Sequence, residues 1–144
     1  MCEKHTDLAI ATGGTYGFGS KTVGTDTDAV LTIENLGTDT LTLSGLPLTI
    51  TGANADQFAV TVQPTSPVAV SGTKTFTVRF HPTSPGAKTA RISIGNNDGN
   101  ENPYVLNLTG TGTAPADTLT VTSPNGAESW TAGSLHNIAW TTTG

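Results

Sequence analysis

The sequence predicts an all-β chain, an antiparallel β-sandwich of about seven strands, and three observations carry that reading. Apolar and polar residues alternate, as in Phe76, Val78 and Phe80 against Thr75, Thr77 and Arg79; side chains in a strand switch faces at every residue, so a period of two means one face in a core and one in water. Roughly one residue in five is Thr, a strand former, while only 12% are charged, too few for long solvated helices. Turn residues separate the apolar runs about every eight to twenty residues, the spacing of a seven-strand sandwich.

Taken in order, the first strand is Asp7-Leu-Ala-Ile-Ala-Thr12, with Leu8 and Ile10 on one face, behind an N-terminal tail of residues 1–6. A Gly-rich stretch follows in which Tyr16 and Phe18 are apolar and two apart. Ala29, Leu31 and Ile33 make the next strand, which stops at the turn signal Asn35-Leu-Gly-Thr-Asp39. Leu41 and Leu43 resume the alternation, and Leu46, Leu48 and Ile50 continue it in shifted register after Gly45, where a bulge restores the facing. Residues 53–57 suit one helical turn, leading into Phe58, Val60 and Val62. Val68 and Val70 form a short strand.

Residues 73–94 then read as a β-hairpin, with Phe76, Val78 and Phe80 answered by Ala90, Ile92 and Ile94 across the turn Pro82-Thr-Ser-Pro-Gly86. Its prolines fix φ and its glycine accepts positive φ. Tyr104, Leu106 and Leu108 form the last inward row, closing on Gly110-Thr-Gly112. The periodicity stops at Thr113, so the sandwich spans residues 7–113. Residues 114–117 read as a linker. Residues 118–144 restart the pattern with Leu119, Val121, Ile138 and Trp140, but fewer than about thirty residues do not enclose a core. They are expected to be the truncated start of a second β-domain, disordered or pairing adventitiously.

The formal net charge is −5 and only six Lys and Arg are scattered along the chain, which argues against nucleic acid as a partner. The single cysteine, Cys2, forms no internal disulfide and excludes a disulfide-rich scaffold. An accidental terminal thiol is the better reading of it than a lipidation site. No apolar run approaches the roughly 18 residues of a membrane span, and no charged-then-apolar leader opens the sequence.

Three features occur together: an N-terminal strand before a Gly-rich turn, Leu31-Thr-Ile-Glu-Asn-Leu-Gly-Thr-Asp-Thr-Leu-Thr-Leu43, and Phe76-Thr-Val-Arg-Phe-His-Pro-Thr-Ser-Pro-Gly86 leading to Ile92-Ser-Ile-Gly-Asn-Asn-Asp98 and Leu108-Thr-Gly-Thr-Gly112. This ordered set resembles the abnormal-spindle/Hydin-type (ASH-like) immunoglobulin-like domains, in particular the bacterial choice-of-anchor D repeats of large surface or secreted proteins. The tail, Val121-Thr-Ser-Pro-Asn-Gly-Ala-Glu-Ser-Trp-Thr-Ala-Gly133 with Ile138-Ala-Trp140, is similar to the start of a Ser/Thr-rich, GPI-anchored (Kre/Knh-like) type of extracellular domain. Both resemblances imply immunoglobulin-like sandwiches in multidomain chains, without catalytic residues. Relatives occur in ciliary and centrosomal proteins as well; the tail favours the cell exterior.

Gly14-Thr-Tyr-Gly-Phe-Gly-Ser-Lys-Thr22 invites a phosphate-loop reading, but Ser20 separates Gly19 from Lys21 and no helix pattern follows. A flexible strand connection is the better reading. Asn96, Asp98 and Asn100 offer hard oxygen donors at spacing two, yet the glycine and glutamate positions of a calcium loop hold Glu101 and Asn107. Such a turn is common simply because Asn and Asp bond their own backbone. Asp26, Asp28, Asp39 and Asp56 are loop acids without an evident partner. His5, His81 and His136 lack the close pairing of a zinc site, and no strained nucleophile turn supports a Ser-His-Asp triad. Asn107-Leu-Thr109 is a glycosylation sequon inside a strand.

No catalytic residue, metal or cofactor is therefore expected. Tyr16 and Tyr104, with Asn96, Asp98 and Asn100, are the candidate ligand-binding residues; Tyr16, Phe18 and Tyr104 would offer a sugar-stacking platform if two of them were exposed, but their in-phase spacing favours core packing. The Thr ladder at Thr73, Thr75 and Thr77 is a solvated face or, at a sheet edge, a site for a partner strand. The expected function is a non-enzymatic structural, spacer or adhesion module of a bacterial extracellular or cell-surface protein, its partners being neighbouring domains of the same chain and a protein or polysaccharide. The alternatives are a carbohydrate-binding accessory domain and an intracellular scaffold.

Overall fold

The computed structural model describes residues 2–5 and 8–143, with side chains from Ile10 onward. The chain divides into two compact units, Met1–Thr113 and Ala114–Gly144. The first contains strands β1 (Cys2–His5), β2 (Leu8–Ile10), β3 (Thr15–Thr22), β4 (Thr27–Glu34), β5 (Leu43–Ser44), β6 (Ile50–Thr51), β7 (Phe58–Val62), β8 (Thr73–Phe80), β9 (Gly86–Asn96) and β10 (Tyr104–Thr113). A 3-10 turn at Ala55–Gln57 falls within residues 53–57, where a helical turn was expected. One sheet runs β2-β1-β4-β8-β7; the other runs β3-β10-β9-β5, with β6 also on β9.

This is an immunoglobulin-like β-sandwich, and the inward rows meet as the alternation requires. Leu31, Ile33, Phe76, Val78 and Phe80 from the first sheet and Ile92, Ile94, Tyr104, Leu106 and Leu108 from the second are all fully buried. At one end of the core Phe18 from β3 lies against Phe58 and Phe80, at 5.8 and 5.5 Å between ring centroids, and Phe58 stacks on Phe80 at 4.8 Å. Rings from both sheets thus share one cluster. Each such pair adds about 0.5–1.5 kcal/mol beyond the area it buries.

Three expectations are corrected. Residues 73–94 are not a hairpin: β8 pairs with β4 and β7, and β9 with β10, so the turn after Phe80 carries the chain from one sheet to the other. Both rows face the same core from opposite sides, which produces the same alternation as a hairpin would. The crossing is pinned by Gln57, whose backbone oxygen accepts from His81 N at 2.8 Å and whose amide oxygen accepts from Thr83 N at 2.6 Å. Of the Thr ladder, Thr77 lies between β4 and β7, whereas Thr73 and Thr75 pair with β4 and extend past the end of β7. The Gly-rich stretch is strand β3, and it runs parallel to β10, whereas the other strand pairs among the described residues are antiparallel. Finally, Val68 makes only an isolated bridge to Leu41, and Val70 is exposed.

At the N-terminus, the segment read as a tail contains β1, paired with β4 and β2. Its backbone pairing leaves no apolar alternation to detect. The side chains of Cys2, His5 and Leu8, and the strand start at Asp7, lie outside the described residues. In the second unit β11 (Thr118–Ser123) pairs antiparallel with β12 (Ala139–Thr143). The register sets Leu119 beside Thr142 and Val121 beside Trp140, while Thr118 faces Thr143 and Thr120 faces Thr141. One face is therefore largely apolar and the other is threonine. Among the described residues no helix is long and apolar enough to cross a membrane.

The closing Gly110-Thr-Gly112 is a packing requirement. A Cβ on Gly110 would stand 2.6 Å from the Phe80 ring, and one on Gly112 would stand 2.3 Å from Ser84 O. Phe80 is fully buried and hemmed in by Phe18 and Phe58, so it has little room to move. Gly110→Ala is expected to cost about 1–3 kcal/mol by overpacking, read as a lower urea midpoint at unchanged m-value.

Candidate functional site

The candidate site is a groove of ≈ 350 Å³ between the loop after β4 and the loop joining β9 to β10. Thr38, Asp39 and Thr40 line one side, and Asp98, Gly99 and Asn100 the other. Buried amides fix both walls. Asn35 is 4% exposed; its Nδ2 donates to Asp39 O at 2.8 Å and Val68 O at 3.1 Å, and its Oδ1 accepts from Gly37 N at 3.0 Å. Its backbone bonds Gly72 and Ser71, which ties the first wall to the connection preceding β8.

Asn97 acts as a substitute peptide group. Its Oδ1 accepts from Thr42 N at 2.8 Å and its Nδ2 donates to Thr40 O at 3.1 Å, extending the β5–β9 pairing by one side chain. Asn96 is buried and donates to Ile94 O and Glu101 O, while its Oδ1 accepts from Asp98 N at 2.8 Å. Asp98 Oδ1 in turn accepts from Asn100 N at 2.9 Å, and this backbone hydrogen bond holds the carboxyl below its usual range. The oxygens read as possible calcium donors at Asn96 and Asp98 are thus engaged with the loop's own backbone. Among the described residues no three His, Cys, Asp or Glu side chains converge as a metal site.

The tyrosines do not join this groove. Tyr104 is fully buried and its hydroxyl donates to Ile10 O; an inward position on β10 leaves the ring no solvent face, so this candidate ligand-binding residue packs in the core, as its in-phase spacing favours. Tyr16 is half-buried and packs edge-on against Phe18 at 4.9 Å, and burial raises its hydroxyl pKa. Of the five candidates, Asp98 and Asn100 line the groove and Asn96 supports its wall. Asn107 Nδ2 donates to Gly13 O at 2.8 Å, so the sequon's amide serves as a tie between β10 and the approach to β3.

A second polar constellation lies on the outer side of β4 and β8. Arg79 is bidentate on Asp28, at 2.7 and 2.9 Å, and reaches Asp26 at 2.8 Å. Asp26 also contacts His81 Nδ1 at 2.6 Å. These acids were expected to stand alone; the cross-strand pairing of Asp28 with Arg79 brings them together. The hydrogen bond from Arg79 lowers the Asp28 pKa, and the pair raises that of Arg79.

The model of the HYDIN/CFA65/VesB-like, Ig-like domain matches residues 13–111. The chain belongs to this family. No curated protein matches it. Solved structures similar to this HYDIN/CFA65/VesB-like domain include ASH/PapD-like domain 7 of human CEP192, with 18% identity and a TM-score of 0.54 over 71% of this chain and 82% of that one. A protein of unknown function from Porphyromonas gingivalis W83 matches with 18% identity and a TM-score of 0.57, and the secreted serine protease VesC from Vibrio cholerae with 15% and 0.53; each match covers 67% of this chain. The match spans 43% of the P. gingivalis chain and 21% of VesC. At these identities the likeness is one of fold.

Two outcomes test the geometry. Asn35→Ala removes a buried amide that ties Gly37 N, Asp39 O and Val68 O together, and is expected to cost about 1–3 kcal/mol in urea unfolding. Asp28 has a folded pKa below its ordinary 3.8, so its contribution is complete above that value and fades as pH falls through the lower folded value. Asp28→Asn should flatten the acid limb of a melting-temperature profile; an unchanged slope would show the pair is screened out.

Proposed function

We propose that this chain is a non-enzymatic structural, spacer or adhesion module of a bacterial extracellular or cell-surface multidomain protein, making its contacts at the groove. The observation that carries the reading is the groove itself: its walls are locked by the buried amides of Asn35 and Asn96, whereas Thr38, Asp39 and Asn100 present side chains to solvent without bracing the core. That division, rigid below and polar above, suits a presented contact surface. The secreted Vibrio protease with a domain of similar fold and the choice-of-anchor D and Kre/Knh-like resemblances support an exterior location. Residues 118–144 contribute to a second β-domain on this reading, since their strands carry one apolar face and one of threonine.

The contact partner is a protein or polysaccharide, with neighbouring domains of the same chain as the second class. A carbohydrate-binding role has less support, because no aromatic ring lines the groove among the described residues. An intracellular scaffold rests only on the fold it shares with the CEP192 domain.

Antibodies against residues 13–111 should label intact cells or the culture medium of the source organism, and labelling only after lysis would overturn the exterior assignment. Replacing Thr38, Asp39 and Asn100 together with alanine should leave unfolding within about 1 kcal/mol of wild type while abolishing attachment of the parent protein. Retained attachment would remove the groove from the mechanism.

A further inference from the structure

Asn125 is the one asparagine in the sequence followed by glycine. The pair sits in the exposed stretch between β11 and β12, and Gly126 has φ +104 with nothing within 4 Å of the place a Cβ would occupy. The backbone nitrogen of Gly126 is therefore sterically open to the side chain before it. Glu128 folds back over this step: its carboxylate accepts from Asn125 N at 3.0 and 2.9 Å, from Gly126 N at 3.1 Å and from Ala127 N at 3.1 Å.

We infer that Asn125 is a site of spontaneous conversion to aspartate or isoaspartate, and that the Glu128 carboxylate holds this conversion back. In the reaction Gly126 N gives up its proton to hydroxide and attacks Asn125 Cγ. The N–Cγ bond forms, the Cγ–Nδ2 bond breaks, and Nδ2 leaves as ammonia with a proton from water. Water then opens the succinimide ring at either carbonyl, giving aspartate or isoaspartate. An N–H donating to a carboxylate is held in its protonated state, and the amide anion needed for attack would face that negative charge. Glu128 thereby guards the nucleophile. Once formed, the new carboxylate would compete with Glu128 for the same turn, so conversion would release the clamp.

The test follows the mass shift of amide-to-acid conversion in the full 144-residue chain, held in mildly alkaline buffer and mapped by peptide. Wild type should convert slowly and at Asn125. Glu128→Gln should convert roughly tenfold faster, as expected when one charge-assisted hydrogen bond on the attacking nitrogen is weakened. Gly126→Ala should slow conversion with Glu128 intact. Trp140→Ala disturbs the apolar face of the hairpin but keeps Glu128, and should convert near the wild-type rate. The inference fails if Glu128→Gln is no faster than wild type, if Trp140→Ala matches it, or if the modification maps to another asparagine.

Discussion

The sandwich depends on how closely its two sheets approach at the Phe80 end. Gly110 on β10 lets the Phe80 ring of the opposite sheet settle where a methyl group would otherwise stand, and Phe18 and Phe58 complete the cluster. Close packing leaves no slack at such a point, since interiors are as dense as organic crystals. The position of β10 determines that of β9, which it pairs along nearly its whole length, and β9 ends at Asn96, directly before the Asn97 to Asn100 wall of the groove. A close contact at one end of the core thus aligns the polar loops at the other end of the strand.

Most of the fold was legible because inward positions announce themselves by period two. Partner choice was not. Phe76, Val78 and Phe80 and then Ala90, Ile92 and Ile94 alternate identically whether β8 and β9 pair with each other or face each other across the core, since both arrangements bury the same residues. The turn Pro82–Gly86 is equally ambiguous, as five residues can reverse a chain within one sheet or carry it between two. The parallel alignment of β3 with β10 left no local mark, because Gly17 and Gly19 dilute the strand's pattern. The isolated alternation of Val68 and Val70 overstated a segment with only one bridge.

The groove was legible in part. Asp98 and Asn100 stood out through composition, and they do line it; Tyr104 stood out as an aromatic and belongs to the core, a distinction that its phase with Leu106 and Leu108 already suggested. What composition hid was the work of Asn35 and Asn97. Both sit in turn signals, where Asn is expected for local backbone reasons, yet the amides of both also reach strands or loops distant in sequence, at Val68 and at Thr40 and Thr42. Such long-range bonds follow from tertiary placement alone.

The parallel register of β3 against β10, from Thr15 beside Asn107 to Thr22 beside Thr113, has a mechanical consequence. Tension drawn along the polypeptide would pull the leading end of β3 and the trailing end of β10 in opposite directions along their common axis. Every hydrogen bond in that ladder would then be sheared at once, where an antiparallel hairpin pulled at its ends would peel open bond by bond. A string of such units would resist stretching.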